Sequence, residues 1–179
     1  MPNDGGHFLF TAEEKTEFLK LEPQAEPLFR SFLSAHEYLH GQDRFCLWLL
    51  DANPKLLRSC PLVMERIEAV KTLRASSNLE ATKKLAKTPS LFGEVRAPKS
   101  RFVLVPCHSS ENRDYIPFSY FEPNLIPGNS CLFMENATLY DFGIIASAIR
   151  MAWVKQGCGR LESRYRYSAS LVYSNFPWP

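Results

Sequence analysis

Pro98 to Cys107 contains Arg101-Phe102-Val103-Leu104-Val105-Pro106, an apolar run with a proline at or near each end. Such a run is a strong strand signal, and a strand needs neighbours to satisfy its backbone. Phe45-Cys46-Leu47-Trp48-Leu49-Leu50 is a second compact apolar run that suits a buried strand. Shorter strand-like runs occur at Tyr115–Phe118 and Cys131–Met134, separated by turns that contain proline and glycine. The chain must therefore build a sheet from brief pieces.

Helical signals flank these runs. Thr11 with Glu13 and Glu14 is a good N-cap with an acidic first turn. Pro23 and Pro27 interrupt the segment after this helix. Pro61 opens a helix whose apolar side includes Leu62, Ile67 and Val70, and whose basic continuation through Lys83, Lys84 and Lys87 runs to Pro89. Leu139 to Gln156 reads as one long helix, with Gly157 and Gly159 at its exit. Residues 1–7, rich in Gly, Asn and Asp, read as a frayed end. The class expected is α+β: N-terminal helices, a small mixed or antiparallel sheet, and a long helix in the C-terminal half. A single domain over residues 1–179 is expected, with 1–43 a helical lead-in and 44–179 the α+β core.

The 179 residues suffice for a real core without metal or disulfide staples. Net charge is only +2, but it is unevenly spread. Residues 1–50 carry 4 basic and 8 acidic side chains, residues 51–100 carry 10 and 5, and the remainder 7 and 6. An acidic front and a basic middle could turn one face towards a polyanion, although ordinary solvated helix surface gives the same pattern. The 5 cysteines are odd in number and widely spaced, with no C-x-x-C, as expected of reduced core cysteines in a cytoplasmic protein. No signal peptide is recognisable, and the apolar stretches are too short to span a bilayer.

Catalytic motifs are few and weak. His36-Glu37-Tyr38-Leu39-His40 fits H-E-x-x-H, which on a helix would set two zinc ligands on one face with a glutamate base. The extension that supplies a third histidine is absent, Glu65 or Glu68 would have to replace it, and Gly41 would end the helix at its own ligand. Zinc chemistry at this segment is thus the alternative reading, not the leading one. Asp4 with Glu13-Glu14-Lys15 loosely resembles a nuclease carboxylate set, but Asp4 falls in the frayed end and Glu13 in a helix start. Asn175-Phe176-Pro177-Trp178 only echoes the N-P-P-aromatic segment that grips an extruded base. No catalytic residue, metal site or cofactor site is assigned.

Two stretches favour DNA contact. Ser109-Ser110-Glu111-Asn112-Arg113 is a polar loop rich in phosphate-binding groups. Gly159 to Ser168 carries Arg160, Glu162, Arg164 and Arg166 among Leu161, Tyr165 and Tyr167. Extended, this stretch would point Glu162, Arg164 and Arg166 one way, with Leu161 and Tyr165 opposite. A carboxylate can accept from the cytosine amino group, and a guanidinium can fork onto guanine O6 and N7. A surface ladder of ion pairs fits the same spacing equally well. A protein-interaction module is a further alternative.

Larger pieces of the chain, in order, carry a resemblance. They include Glu37-Tyr38-Leu39-His40-Gly41, Arg44 to Leu49, Pro61 to Arg66, Thr88 to Glu94, Ser109 to Pro117, Asn136 to Gly143, Gly159 to Ser168 and Val172 to Pro179. The combination resembles the target recognition region of Mme-like (type IIG/IIL) restriction–modification proteins and related adenine-specific DNA methyltransferases. The resemblance implies a double-stranded DNA-reading domain without chemistry of its own. It would be joined to a methylase domain of the same parent chain that methylates adenine N6 with S-adenosylmethionine. It implies that Glu162 and Arg164 read one G·C pair and Arg166 a neighbouring pair. Ser109, Ser110, Asn112, Arg113, Arg160, Tyr167, Ser168, Lys83 and Lys84 are expected to hold the DNA backbone. His40 departs from the family's usual asparagine, which takes support from the zinc reading.

Overall fold

A computed structural model describes residues 3–178. The first half of the chain runs through β1 (Leu9–Phe10), α1 (Ala12–Leu21), a 3-10 turn (Pro23–Leu28), β2 (Phe29–Leu33) and α2 (Ala35–His40). It continues through β3 (Phe45–Leu47), α3 (Pro54–Arg58), α4 (Pro61–Ala75) and α5 (Glu80–Leu85). The second half holds β4 (Phe102–Pro106), β5 (His108–Ser109), β6 (Ser119–Phe121), β7 (Leu125–Pro127) and β8 (Cys131–Glu135). Then come α6 (Leu139–Ile145), α7 (Ala148–Gly157), β9 (Gly159–Leu161), β10 (Arg164–Arg166) and a π-helical turn (Ala169–Tyr173). The class is α+β, as expected.

Contacts divide the chain into two compact units, and not at residues 43/44. The first takes residues up to Phe32 and then Asp43–Arg96; the second takes Leu33–Gln42 and everything from Ala97 on. The N-terminal stretch is also not purely helical, since β1 and β2 lie within it. Segment 33–42 belongs to the second unit for concrete reasons. The Ala35 N–H donates to Ser130 Oγ at 2.8 Å, the Tyr38 hydroxyl bonds Ser119 Oγ at 2.8 Å, and the Tyr38 ring meets Phe121 edge-on.

In the first unit β3 pairs antiparallel with both β1 and β2. Phe10, Phe18 and Phe29 stack edge-to-face with centroids 5.0–5.7 Å apart, a geometry worth about 0.5–1.5 kcal/mol per pair beyond area burial. Thr11 is the N-cap expected at the start of α1, and with Glu14 it closes a capping box. Helix α4 opens on Pro61 without a capping side chain of its own. Its first N–H groups are met from a distance: the buried Glu22 carboxylate accepts from Leu62 and Val63. Arg74, fully buried at the other end of α4, donates to the carbonyls of Asn3, Leu85, Thr88 and Leu91.

Several sequence expectations need correction. Residues 1 and 2 lie outside the described residues, but Asp4 is buried and ordered rather than frayed. Its carboxylate accepts from the N–H of Phe8 at 2.6 Å and of Gly6 at 3.3 Å. The α4 pattern does not continue unbroken: residues 76–79 separate it from α5. The strand expected at Tyr115–Phe118 lies at Ser119–Phe121, in register with β4 through Val103↔Tyr120. The expected long helix is two, because Ser147 leaves the helical path and caps α7 by accepting from the Arg150 N–H at 3.1 Å.

Cys46 is fully buried beside Asp4. Burial first, and the Asp4 charge second, push its thiol up to about 12. Only thiolate reacts with iodoacetamide. Cys46 is therefore expected to stay unlabelled in the native chain at pH 8, while the partly exposed Cys158 is labelled. Peptide mass spectrometry after timed labelling reads this directly. Equal native labelling of the two would show that β3 opens readily.

In the second unit β4 is the central strand of three, paired antiparallel with β6 and β8. All its residues are buried, and it faces two cores. Val103 and Val105 join Ile116, Met151, Val154, Tyr165, Tyr167 and Val172. Phe102 and Leu104 join Ala35 and Cys131. The continuous apolar run is thus explained by cover on both faces.

Candidate nucleic-acid interface

The stretch from Gly159 to Arg166 folds as a hairpin, not as one extended run. Strand β10 pairs antiparallel with β9 (Arg164↔Leu161, Tyr165↔Arg160, Arg166↔Gly159) and with β5 (Tyr165↔Ser109, Arg166↔His108). Glu162 and Ser163 form the two-residue connection, and Glu162 adopts a left-handed φ of 55°. Tight hairpins ask for such a backbone.

Alternation sorts the side chains. Tyr165 points inward, 5% exposed within the core. Its neighbours Arg164 and Arg166 are exposed on the other face. Leu161 is the cross-strand partner of Arg164, so it shares that face; the expectation that it opposes Arg164 is wrong. Glu162 sits at the tip and not in a strand, yet its Oε2 accepts from Arg164 Nη2 at 2.7 Å. The fold thus brings Glu162 and Arg164 together and sets Arg166 on the same face as Arg164.

The neighbouring loop supports the tip. The Glu111 carboxylate accepts from the Ser163 hydroxyl, and this bond more than any other holds its pKa below the usual range, with Arg160 and Arg164 adding smaller effects. Ser110 Oγ accepts from the Asn112 N–H at 3.2 Å. Asn112 is exposed and Arg113 half-buried. The Arg160 guanidinium lies 4.2 Å from the Tyr165 ring centroid and donates to the Ser163 carbonyl at 3.1 Å. Arg160 therefore braces the hairpin from its anchored face.

Three residues expected on the DNA backbone are placed otherwise. Tyr167 is 3% exposed, and its hydroxyl accepts from Arg150 Nη2 at 2.7 Å. Arg150 is itself buried, with Phe176, Trp178, Tyr173 and Tyr167 rings all within 5.8 Å of its guanidinium carbon. Tyr167 is a core anchor for the strand end. Ser168 caps the turn at Ala169–Tyr173, accepting from the Leu171 N–H. Ser109 is 2% exposed, paired behind the strand with Tyr165. Lys83 and Lys84 are exposed on α5 of the first unit, with Lys83 bonded to Glu80 at 2.7 Å.

Sequence reasoning passed over His108. It pairs with Arg166 and shares that residue's face, and the signal was its alternation with Ser109. Burial, and then the guanidiniums of Arg166 and Arg164, hold its pKa below the usual histidine range.

The H-E-x-x-H segment does not assemble a metal site. Helix α2 ends at His40, with Gly41 left-handed behind it. Glu37 is buried and closes the capping box with Ser34, accepting from both its N–H and its hydroxyl. Among the described residues no three His, Cys, Asp or Glu side chains are grouped to hold a metal ion. No helix of the described residues is long and apolar enough to cross a membrane.

Comparison with known proteins agrees with this geometry. The family model for the target recognition domain of MmeI matches residues 1–179. DNA methyltransferase A of Bacillus subtilis (strain 168) is 41% identical over all 179 residues, which make up 20% of its own length. A solved structure of the type IIL restriction–modification enzyme MmeI in complex with DNA matches 99% of this chain at 42% identity and a TM-score of 0.96, and the match covers 24% of that larger chain. The chain thus spans about a quarter or less of these relatives. With a match along its entire length, the chain belongs to the MmeI target recognition domain family.

Proposed function

We propose that this chain reads a specific double-stranded DNA sequence on behalf of a DNA methyltransferase and performs no chemistry itself. One observation carries the proposal: an exposed acid–guanidinium pair, Glu162–Arg164, at a hairpin tip whose reverse face is pinned in the core by Tyr165. Paired donor and acceptor groups on a rigid, exposed edge suit direct readout in the major groove. The solved MmeI relative was captured with DNA, which supports the reading.

The finer proposal is that the parent enzyme is of type IIG, works in the cytoplasm and methylates adenine N6. S-adenosylmethionine would supply the methyl group. Among the described residues no strand-to-helix connection (β1–α1, β2–α2, β3–α3 or β8–α6) contains a glycine, so none offers a Gly-rich cofactor loop. The proposal places that cofactor in a methylase domain of the same parent chain. Glu162 reads the cytosine and Arg164 the guanine of one pair, while Arg166 reads a neighbour. Ser110, Asn112 and Arg113 hold phosphates beside them.

The test is duplex binding by fluorescence anisotropy across a salt series, on the chain and on the full-length enzyme that carries it. Affinity should fall linearly on a log–log plot, with a slope of about −0.9 per neutralised phosphate. Lys84→Ala should flatten the slope for every sequence alike, and an unchanged slope would take that lysine off the DNA. Association indifferent to salt, or none at all in the full-length enzyme, would eliminate the proposal in favour of a protein-interaction module.

A further inference from the structure

Helix α2 and the reading hairpin line one concavity of about 450 Å³. Its lining includes His36 and His40 from α2, His108 and Arg113 from β5 and the loop after it, and Arg164 from β10. The remaining lining residues are Ala, Leu and Ser, so no carboxylate lines it, although the chain carries 19 acidic residues. Ser109 also lines it, but its side chain turns to the core face with Tyr165. Two guanidiniums and three imidazoles, with the Glu162 carboxylate bonded to them through Arg164, form a surface that favours an anion.

The two α2 histidines are arranged for such a role. Both are exposed, and their rings lie 4.4 Å apart, centroid to centroid. The Nδ1 of His40 sits 2.8 Å from the His36 carbonyl oxygen. A carbonyl only accepts, so Nδ1 carries the hydrogen. The neutral ring then has a bare Nε2, which cannot donate to an anion. His40 can grip an anion through Nε2 only by taking up a proton.

We propose that this concavity is a phosphate site: His36 and His40 hold one phosphodiester of the bound duplex, next to the base pair faced by Arg164, with proton uptake at His40. The site rests on the DNA-reading function proposed above. It gives α2, the segment that most tempts a metalloenzyme reading, a DNA-gripping role. The charged and titratable groups facing His40 across the concavity are His36, His108, Arg113 and Arg164, the last of them bonded to Glu162 at 2.7 Å.

The experiment uses the full-length enzyme and duplexes in which single phosphates are replaced by neutral methylphosphonates. In the wild type, one replacement flanking the Arg164 base pair should weaken binding about tenfold. In His36→Gln/His40→Gln the same replacement should cost less than twofold. Calorimetry in buffers of differing ionisation enthalpy should show proton uptake on binding that His40→Gln abolishes. Thermal melting checks that the variants fold, and His36→Gln alone serves if the double variant does not. Equal methylphosphonate costs in wild type and variant, or proton uptake that survives His40→Gln, would overturn the site. A coupled phosphate with no specificity change on altering Glu162 and Arg164 would sink the base-reading assignment and leave the site standing.

Discussion

An enzyme carrying Glu162→Lys together with Arg164→Asp should methylate a site in which one G·C pair is turned round. The two side chains form a 2.7 Å ion pair at the hairpin tip, with Arg164 52% and Glu162 75% exposed. Exchanging acid and base keeps one donor and one acceptor in adjacent places but reverses their order. The major groove presents the guanine acceptors and the cytosine amino donor in opposite order when the pair is inverted. Each single change leaves two like charges at the tip and should cost about 1–3 kcal/mol of discrimination. The double change should recover binding on the inverted site. Sequencing of methylated positions decides the matter, and an unchanged site in the double variant rules the assignment out. Neither residue belongs to the core, so folding should be unaffected.

Arg74→Met should destabilise the first unit by about 3–5 kcal/mol, in line with removing one partner of a buried polar cluster. The Arg74 guanidinium donates to four carbonyls, those of Asn3, Leu85, Thr88 and Leu91. Methionine fills a similar volume, so the loss reports hydrogen bonding more than packing. It leaves four acceptors without that donor, three of them in a segment from Leu85 to Leu91 that has little regular structure to hold it. Such a loss is a large fraction of the 5–15 kcal/mol typical of a domain. Arg74→Lys should recover only part of it, because an ammonium cannot reach four acceptors spread around a planar fork. Urea unfolding tracked by tryptophan fluorescence measures both variants. A Met variant with the wild-type midpoint would mean that water replaces the arginine freely.

The range of the forces involved decides which features a sequence discloses and which it conceals. The Thr11–Glu14 box and the Phe102–Val105 strand were legible because their causes are local: a cap three residues from its partner, and a run apolar at every position. The break before α7 was hidden because Ser147 interrupts a pattern whose apolar residues continue on both sides. Asp4, Glu22, Arg74 and Arg150 were hidden because polar groups read as surface until distant backbone or rings enclose them. The exposed face of the hairpin was half legible. Alternation correctly set Arg164 and Arg166 against Tyr165. The turn at Glu162-Ser163 lacks the Asn-Gly or Asp-Gly pair that announces a tight hairpin, so the bend and the true side of Leu161 did not show. Tyr167 was misplaced because its hydroxyl is occupied by an arginine seventeen residues away.

The two-sided character of β10 separates what holds the hairpin from what it presents. Inward Tyr165 secures the ribbon while Arg164, Arg166 and the tip residue Glu162 stay free of the interior, so substitutions at positions 162, 164 and 166 should leave foldedness intact. Stability and outward chemistry thus fall on separate residues of one short hairpin.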